Sequence, residues 1–254
     1  MAGVLCDVNC DVSAILFDLD NTLIQTRKGD AKACNKLVEI LTQQYGMSGE
    51  EAVASSTSFL RAFRARPDDD EYTLEKWPEH LWRNCLPKNY RHIAKSISTE
   101  WLKLRFQCLA LTPDVVHLLE TLREDYLLGL ITNGTSRAQW QKIELLGLRK
   151  YFDVLLVSGD LPWEKPDQNI FLEACKLLGV PPRNCIMVGD KLETDIKGGK
   201  EAELGGTVWI PLYKETEVSD LPDVTIDCVT ELPEVLPNSP SFRRSAHAKK
   251  FVNY

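Results

Sequence analysis

Residues 15–24 read ILFDLDNTLI, and the inference of the fold starts from this stretch. Residues 14–17 are all apolar, which is typical of a buried strand in a parallel sheet. The run leads directly into Asp18 and Asp20, although a buried strand should avoid charge. In open α/β sheets, ligands bind beyond the carboxyl ends of the strands. We therefore expect both aspartates at a binding edge, although residues 20–22 are also favourable for an ordinary turn.

The composition indicates one globular protein with room for a smaller second lobe. The chain has 254 residues, of which 44% are hydrophobic and 26% charged. A net charge of −7 argues against a nucleic-acid partner. No run approaches the roughly 20 apolar residues of a membrane helix, and the first residues lack the basic start of a secretory signal. Cys6 and Cys10 have no histidine nearby, so reduced thiols are favoured over a zinc site, and a cytoplasmic location is expected.

Short apolar runs alternate with helix-like stretches along most of the chain. The helices are marked by Thr112-Pro113 at one start, and by Gly147 and Gly179 after the stretches 136–146 and 169–178. This alternation predicts an α/β fold, a doubly wound Rossmann-like parallel sheet. The predicted strands are 15–19, 127–132, 154–157, 185–188 and 207–210, with a weaker edge strand at 224–228.

Residues 27–106 interrupt this alternation. Apolar residues recur there at helical spacing, as in Ile93, Ile97 and Trp101, and core packing between helices is the best interpretation. We therefore predict a helical insert after the first strand, with a solvated loop at 67–71. The α/β core is predicted to comprise 1–26 and 107–237, and residues 238–254 a disordered basic tail.

Polar groups follow three further predicted segments. Thr132, Asn133 and Gly134 end the second strand, where a hydroxyl and backbone N–H groups near a helix start would suit a phosphate. Lys165 precedes a predicted helix with its charge free to point at the sheet edge. Taken singly, these residues are equally consistent with an ordinary strand-to-helix turn and a surface lysine.

Asp190 directly follows another buried strand, and Asp195 comes five residues later. These two could be a loop acid and a helix-capping acid. Carboxylates brought together at one sheet edge would repel one another and raise their pKa values. A hard divalent cation resolves that conflict, and ligation by oxygen alone suits Mg²⁺. The sequence therefore predicts a magnesium and phosphate site.

The order of these segments resembles the four motifs of the haloacid dehalogenase superfamily, and specifically its phosphatase branch. The resemblance covers about residues 14–26 and 107–212, and the helical insert agrees with the family in position. Within the family, the stretches 132–144, 164–171 and 188–202 are most similar to enzymes that act on sugar-acid phosphates. The motifs that match are Asp18–Thr22, Thr132-Asn133-Gly134, Lys165-Pro166 and Gly189-Asp190 with Asp195.

The resemblance implies a Mg²⁺-dependent phosphomonoester hydrolase that works through an aspartyl-phosphate. Asp18 would be the nucleophile and Asp20 the general acid and base. The Asp18 carboxylate, the Asp20 carbonyl and Asp190 would hold the metal, with Asp195 behind them holding metal waters or the lysine. The transferring phosphoryl group would be bound by Leu19, Thr132, Asn133, Gly134 and Lys165.

The resemblance also implies a small phosphate ester as substrate, most simply a sugar-acid phosphate such as N-acylneuraminate 9-phosphate. The helical insert at 27–106 would be a cap that selects the leaving group and excludes water. Arg137 is the first candidate for binding a substrate carboxylate because it follows a site motif by three residues. Further candidates in the insert are Arg61, Arg64 and Arg66. For each of these arginines, a solvated surface position is the plainer interpretation.

Other functions stay open at this point. A phosphosugar mutase would have similar motifs and a similar cap, and another small ester such as phosphoglycolate could be the substrate. A dehalogenase has no use for an acid at Asp20, and a non-catalytic scaffold should have lost at least one motif residue. We expect a monomer or weak homodimer without a membrane partner.

Overall fold

The computed structural model describes residues 12–65, 76–212 and 219–237. Its contacts divide the chain into two compact units, one formed by Met1–Ile24 with Leu111–Tyr254 and the other by Gln25–Ala110. Cys6, Cys10, Arg66, the predicted loop at 67–71 and the predicted tail at 238–254 lie outside the described residues. None of the described helices is both long enough and apolar enough to cross a membrane.

The first unit is built on one parallel sheet. Among the described residues its strands have the order β3-β2-β1-β4-β5-β6, and each neighbouring pair is parallel. The predicted doubly wound α/β class is therefore confirmed. The strands are β1 (Ala14–Phe17), β2 (Leu127–Thr132), β3 (Val154–Val157), β4 (Cys185–Gly189), β5 (Gly206–Trp209) and β6 (Val224–Thr225).

Helices connect these strands and form the second unit. The helices are α1 (Thr26–Gln43), α2 (Gly49–Arg64), α3 (Lys76–Cys85), α4 (Ala94–Cys108), α5 (Pro113–Asp125), α6 (Ser136–Leu145), α7 (Gln168–Leu178), α8 (Lys197–Glu201) and α9 (Leu232–Val235). The predicted start of α5 is confirmed, since the Thr112 hydroxyl accepts a hydrogen bond from the N–H of Val115. Gly179 ends α7 with a φ of 71°, a left-handed conformation that glycine adopts without strain.

β1 lies at the centre of the sheet, between β2 and β4. Phe17 is level with Leu130 of β2 on one side and with Val188 of β4 on the other. The chain builds the sheet outward from β1 in one direction through β2 and β3, and in the other through β4 to β6. The strand order therefore reverses next to β1, which is where open α/β sheets bind their ligands.

Every residue of β1, β2 and β4 is buried, which explains why these strands read as continuous apolar runs. On one face of the sheet, alternate strand residues such as Leu16 and Met187 pack with Ile170 and Phe171 of α7. This packing fixes α7, and with it the loop that precedes the helix, against the sheet.

The second unit, Gln25–Ala110, has its own apolar core among α1 to α4. The Phe59 ring stacks on Trp82 with 4.1 Å between centroids and meets Trp101 edge-on at 4.8 Å. Arg105 of α4 forms a mostly buried ion pair with Asp30 of α1 at 2.6 Å. The predicted helical stripe, including Ile93, Ile97 and Trp101, lies in this core.

Candidate active site

Asp18 and Asp20 follow the last residue of β1 and differ in their surroundings. Asp18 is buried, and its backbone N–H still donates to the carbonyl of Val188 in β4. The chain then turns away from the sheet through Asn21, whose φ is 67°, and a bridge joins Asp20 to Ile24. The side chain of Asp20 is partly exposed. The end of β1 thus holds one buried and one accessible carboxylate.

Lys165 connects Asp18 to a second acid. Its ammonium lies 2.6 Å from Oδ1 of Asp18 and 2.7 Å from Oδ1 of Asp195, and it also donates to the carbonyl of Ile131. The side chain is 2% exposed. This placement differs from the free charge expected at the sheet edge, because α7 packs on the sheet and brings the preceding loop inside. Lys165 is a buried cation that pairs with two buried carboxylates and compensates part of their charge.

Burial dominates the electrostatics of the two acids at the strand ends. It raises the pKa of Asp18 to about 7 against the lowering effect of Lys165. Burial, with Asp195 nearby, raises the pKa of Asp190 to about 6. For Lys165, burial alone would lower the pKa of the ammonium, but Asp18 and Asp195 outweigh it and raise that pKa. The lysine therefore stays charged, while both carboxylates lack full compensation.

Three carboxylates lie close enough to share one cation. Oxygen atoms of Asp18, Asp190 and Asp195 all lie within 4.8 Å of one another, and all three residues are buried. A set of carboxylate oxygens fits a hard divalent ion such as Mg²⁺, which would favour the ionised forms of Asp18 and Asp190 against the burial that raises their pKa values. The expected neighbours Asp18 and Asp190 are thus brought together, and Asp195 joins the cluster itself.

Supporting hydrogen bonds hold this cluster in place. The Thr22 hydroxyl donates to Oδ2 of Asp18 at 3.3 Å, and the amide of Asn21 donates to Oδ2 of Asp190 at 3.3 Å. The backbone N–H of Lys191 donates to Oδ2 of Asp195 at 3.0 Å. Residues of the turn after β1 therefore orient the acids.

The last residue of β2 supplies a buried hydroxyl without a partner among the described residues. The side-chain oxygen of Thr132 is buried, and no hydrogen-bond partner for it occurs among the described residues. A buried hydroxyl without a partner is costly, so this group is suited to a ligand. Thr132 follows Ile131, whose carbonyl accepts from Lys165, so the backbone at Thr132 lies next to the lysine that pairs with the cluster.

Asn133 and Gly134 have contacts that the sequence did not predict. The Asn133 side chain accepts from the N–H of Lys165 at 3.0 Å and donates to the carbonyl of Lys165 at 2.8 Å. The N–H of Gly134 donates to the hydroxyl of Ser158 at 3.0 Å. These two residues therefore fix the loops around the site, and Ser158 is a supporting residue that the sequence analysis missed.

Two further residues near Asp20 were also missed. Lys142 of α6 is buried, and its ammonium pairs with Oδ2 of Asp20. Gln139, also on α6, donates to the same oxygen at 3.4 Å. Both lie in the stretch 132–144 noted for its resemblance, but nothing in the local pattern distinguishes them from solvent-facing helix residues.

None of the contacts described joins a candidate arginine to this cluster. Arg137 of α6 is exposed, as are Arg61 and Arg64 of α2. Arg64 donates to the carbonyl of Arg27 within its own unit. Their role in binding a substrate carboxylate stays a prediction.

Comparisons with known proteins agree with these observations. A family model described as haloacid dehalogenase-like hydrolase matches residues 12–203. An N-acylneuraminate-9-phosphatase of Rattus norvegicus is 35% identical over 236 residues, which cover 89% of this chain and 94% of that protein. A glyceraldehyde 3-phosphate phosphatase of Methanopyrus kandleri is 28% identical over 233 residues, with coverage of 89% and 97%.

A solved structure extends the similarity to three dimensions. The crystal structure of a HAD phosphatase from Thermococcus onnurineus has a TM-score of 0.60 and 29% identity, covering 88% of this chain and 97% of that one. The resemblance stated from the four sequence motifs, including the branch that acts on sugar-acid phosphates, is confirmed by these matches.

Proposed function

The chain belongs to the haloacid dehalogenase-like hydrolase family and is a phosphatase for small phosphate esters, and from this premise we propose that Asp18 is its nucleophile. The reaction is the Mg²⁺-dependent hydrolysis of a phosphomonoester in two steps through an aspartyl-phosphate. The observation that supports this proposal is the cluster of Asp18, Asp190 and Asp195, in which the ammonium of Lys165 pairs with Asp18 and Asp195, beside the reversal of strand order.

In the first step a carboxylate oxygen of Asp18 attacks phosphorus, and the bond from phosphorus to the leaving oxygen breaks. Asp20 gives its proton to that oxygen, so the first product leaves as a neutral alcohol. The Thr132 hydroxyl donates to a phosphoryl oxygen, which supplies the partner that this buried group lacks. Lys165 favours the ionised form of Asp18 against the effect of burial and adds positive charge beside the transferring group.

In the second step a water molecule attacks the phosphorus of the aspartyl-phosphate. Asp20, now ionised, takes the proton from that water, and the bond from phosphorus to the Asp18 oxygen breaks. Inorganic phosphate and the Asp18 carboxylate are the products. Asp20 returns to its protonated form, so the residue acts as acid in one step and as base in the other.

The carboxylates of Asp18 and Asp190, the Asp20 carbonyl and, through water or directly, Asp195 would hold Mg²⁺. When bound, this ion neutralises phosphoryl charge and lowers the repulsion between nucleophile and substrate. The donor set fits the ion because it consists of oxygen atoms with uncompensated negative charge. Lys165 neutralises only part of that charge.

The substrate is most simply a sugar-acid phosphate such as N-acylneuraminate 9-phosphate. The support is the 35% identity to an N-acylneuraminate-9-phosphatase over nearly the whole of both chains. Arg137 of α6 is the first candidate for pairing with the substrate carboxylate, since guanidinium groups bind carboxylates through two parallel hydrogen bonds. An Arg137→Ala protein with an unchanged KM for a carboxylated ester would remove this residue from consideration.

The first prediction concerns Asp18. We expect Asp18→Asn to lose the Mg²⁺-dependent release of phosphate from p-nitrophenyl phosphate by at least about 1,000-fold, because the amide cannot attack phosphorus. Rapid acid quenching with a radiolabelled phosphate ester should trap label on the wild-type protein and none on the variant.

The matched control is Asp153→Asn, which changes an aspartate outside the cluster that accepts from the N–H of Leu128. This protein should keep its labelling. Full hydrolysis by Asp18→Asn would contradict the proposal. A panel of phosphorylated sugars, sugar acids and two-carbon acids then ranks the substrates by kcat/KM, and product analysis separates free phosphate from an isomeric sugar phosphate.

A further inference from the structure

The pairing of Lys142 with Asp20 has no part in the chemistry described so far. Lys142 lies on α6 and is 4% exposed, so almost the whole side chain has left water. Its ammonium meets Oδ2 of Asp20 in a close ion pair. A buried ammonium is costly to desolvate, and it is kept only where a partner compensates it. Here the partner is the residue proposed as general acid and base.

Gln139 contacts the same carboxylate oxygen. Its amide nitrogen lies 3.4 Å from Oδ2 of Asp20 and 2.9 Å from the carbonyl of Asn133. Both partners are acceptors, so the nitrogen and not the oxygen of this amide must face them. Gln139 and Lys142 are three residues apart on α6 and therefore point to the same side of the helix.

The loop after β2 keeps Gln139 in this position. Gly134 has a φ of 134°, a backbone conformation that residues with side chains rarely adopt. A Cβ atom built on Gly134 would lie 2.6 Å from the amide nitrogen of Gln139. Glycine therefore leaves the space in which Gln139 reaches Asp20.

We propose that Lys142 is a positioning residue for the acid–base step, and that with Gln139 it fixes the carboxyl group of Asp20 through Oδ2. The inference rests on the proposed function, because it assumes that Asp20 exchanges a proton with the leaving oxygen. Lys142 acts through Asp20 and touches neither substrate nor metal.

The experiment compares two phosphate esters that differ in their need for an acid. An alkyl phosphate has a poor leaving group that must be protonated, whereas the leaving group of p-nitrophenyl phosphate departs without a proton. The measured quantity is kcat/KM, which reflects the steps from free enzyme and free substrate through the first chemical step. The ratio of the two values within one preparation does not depend on how much of the protein is folded.

Asp20→Asn defines the pattern expected from loss of the acid. For the alkyl phosphate, kcat/KM should fall by about 100- to 10,000-fold, and for the aryl phosphate by much less. Lys142→Met keeps the apolar stem of lysine and removes its charge. We expect it to lose about 100-fold on the alkyl ester because a misplaced catalytic group costs about that much, and again far less on the aryl ester.

The double variant separates positioning from a purely structural role. If Lys142 acts through Asp20, then Asp20→Asn with Lys142→Met should be no slower on the alkyl ester than Asp20→Asn alone. Lys142→Arg keeps a donor with positive charge and should recover most of the lost rate. Gln141→Met, on the exposed side of α6 next to Lys142, is the matched control and should keep the wild-type ratio of the two esters.

Two results would overturn the inference in distinguishable ways. If Asp20→Asn favours the aryl ester but Lys142→Met slows both esters equally, Lys142 only stabilises the fold, and the proposed function stands. If Asp20→Asn itself shows no preference between the esters, the acid role of Asp20 is wrong, and the positioning role of Lys142 is wrong with it.

Discussion

At the scale of single residues, Lys165 lowers the free-energy cost of burying the acidic cluster. Its ammonium contacts Asp18 and Asp195, and all three side chains are almost fully buried. Removing one partner of a buried ion pair leaves an uncompensated charge in a medium that solvates it poorly. Lys165 should therefore matter for folding as well as for the reaction.

The second prediction follows from this burial. Lys165→Met should lower the free energy of unfolding of the metal-free protein by about 3–5 kcal/mol at neutral pH, because two carboxylates lose their cation. Urea unfolding measures the change. Lys176→Met is the matched control, since Lys176 pairs with Glu173 at 2.9 Å while its side chain is 73% exposed.

That exposed pair should be worth about 0–1 kcal/mol. Equal losses in the two variants would mean that Lys165 does not compensate the cluster.

The residues that gather in the acidic cluster could be named as candidates from sequence, but their partners could not. Asp18 and Asp190 were identifiable because each directly follows a buried strand, a local pattern. Lys165 and Lys142 are both buried through packing of distant segments, and a lysine in an isolated helix or loop looks like a solvated one. The ion pairs at Asp18 and Asp20 join residues far apart in sequence, so no local period indicates them.

At the scale of elements, the bounds of some strands could be predicted from sequence more accurately than those of others. The bounds of β2 and β3 agree with the predicted 127–132 and 154–157, because polar residues or turns bracket these apolar runs. β1 ends at Phe17 and not at residue 19, since the chain turns into the bridge between Asp20 and Ile24. β6 is only Val224–Thr225, shorter than the predicted 224–228. Its ladder with β5 stops at Thr225 because its partner Trp209 is the last residue of β5.

The third prediction concerns the aromatic core of the helical unit. Phe59 of α2 is fully buried between Trp82 and Trp101. Phe59→Ala should destabilise this unit by about 3–5 kcal/mol, because it removes a stacked ring and leaves a cavity. Hydrogen exchange measured by mass spectrometry should show faster exchange in α2, α3 and α4.

Val53→Ala is the matched control on the same helix, since its side chain is 52% exposed. It should leave exchange in these helices nearly unchanged. Unaltered exchange in Phe59→Ala would show that the aromatic cluster does not hold the unit together.

At the scale of the whole molecule, we expect the acidic site to couple stability to pH and to bound metal. The native pKa values of about 7 for Asp18 and about 6 for Asp190 lie above the ordinary value of 3.8. Between the ordinary and the native pKa, the native state binds more protons than the unfolded state, so stability falls as pH rises through this window. The loss is complete once the pH exceeds both native values. Bound Mg²⁺ requires the ionised carboxylates and should reverse the loss.

The fourth prediction is therefore a thermal melt across this pH window. In EDTA the Tm should fall from about pH 4.5 to about pH 7.5, and the increase in Tm given by Mg²⁺ should grow over the same range. Mg²⁺ at about 100 times its Kd adds about 2.7 kcal/mol of stability. Asp190→Asn removes one of the uncompensated charges.

This variant should be more stable than the wild type in EDTA near neutral pH, and Mg²⁺ should raise its Tm less. An equal effect of Mg²⁺ on both proteins would place the ion elsewhere.

Synthesis on the ribosome starts at the N-terminus, so β1 leaves the exit tunnel long before its neighbour β4. At about 5–20 residues per second, on the order of ten seconds or more separate the two strands. During that interval the edge of β1 that later pairs with β4 leaves its backbone N–H and C=O groups without a strand partner. A nascent chain stalled before Cys185 should consequently be a chaperone client that aggregates when released. A chain long enough for Gly189 to leave the exit tunnel can pair β4 with β1 and close the sheet.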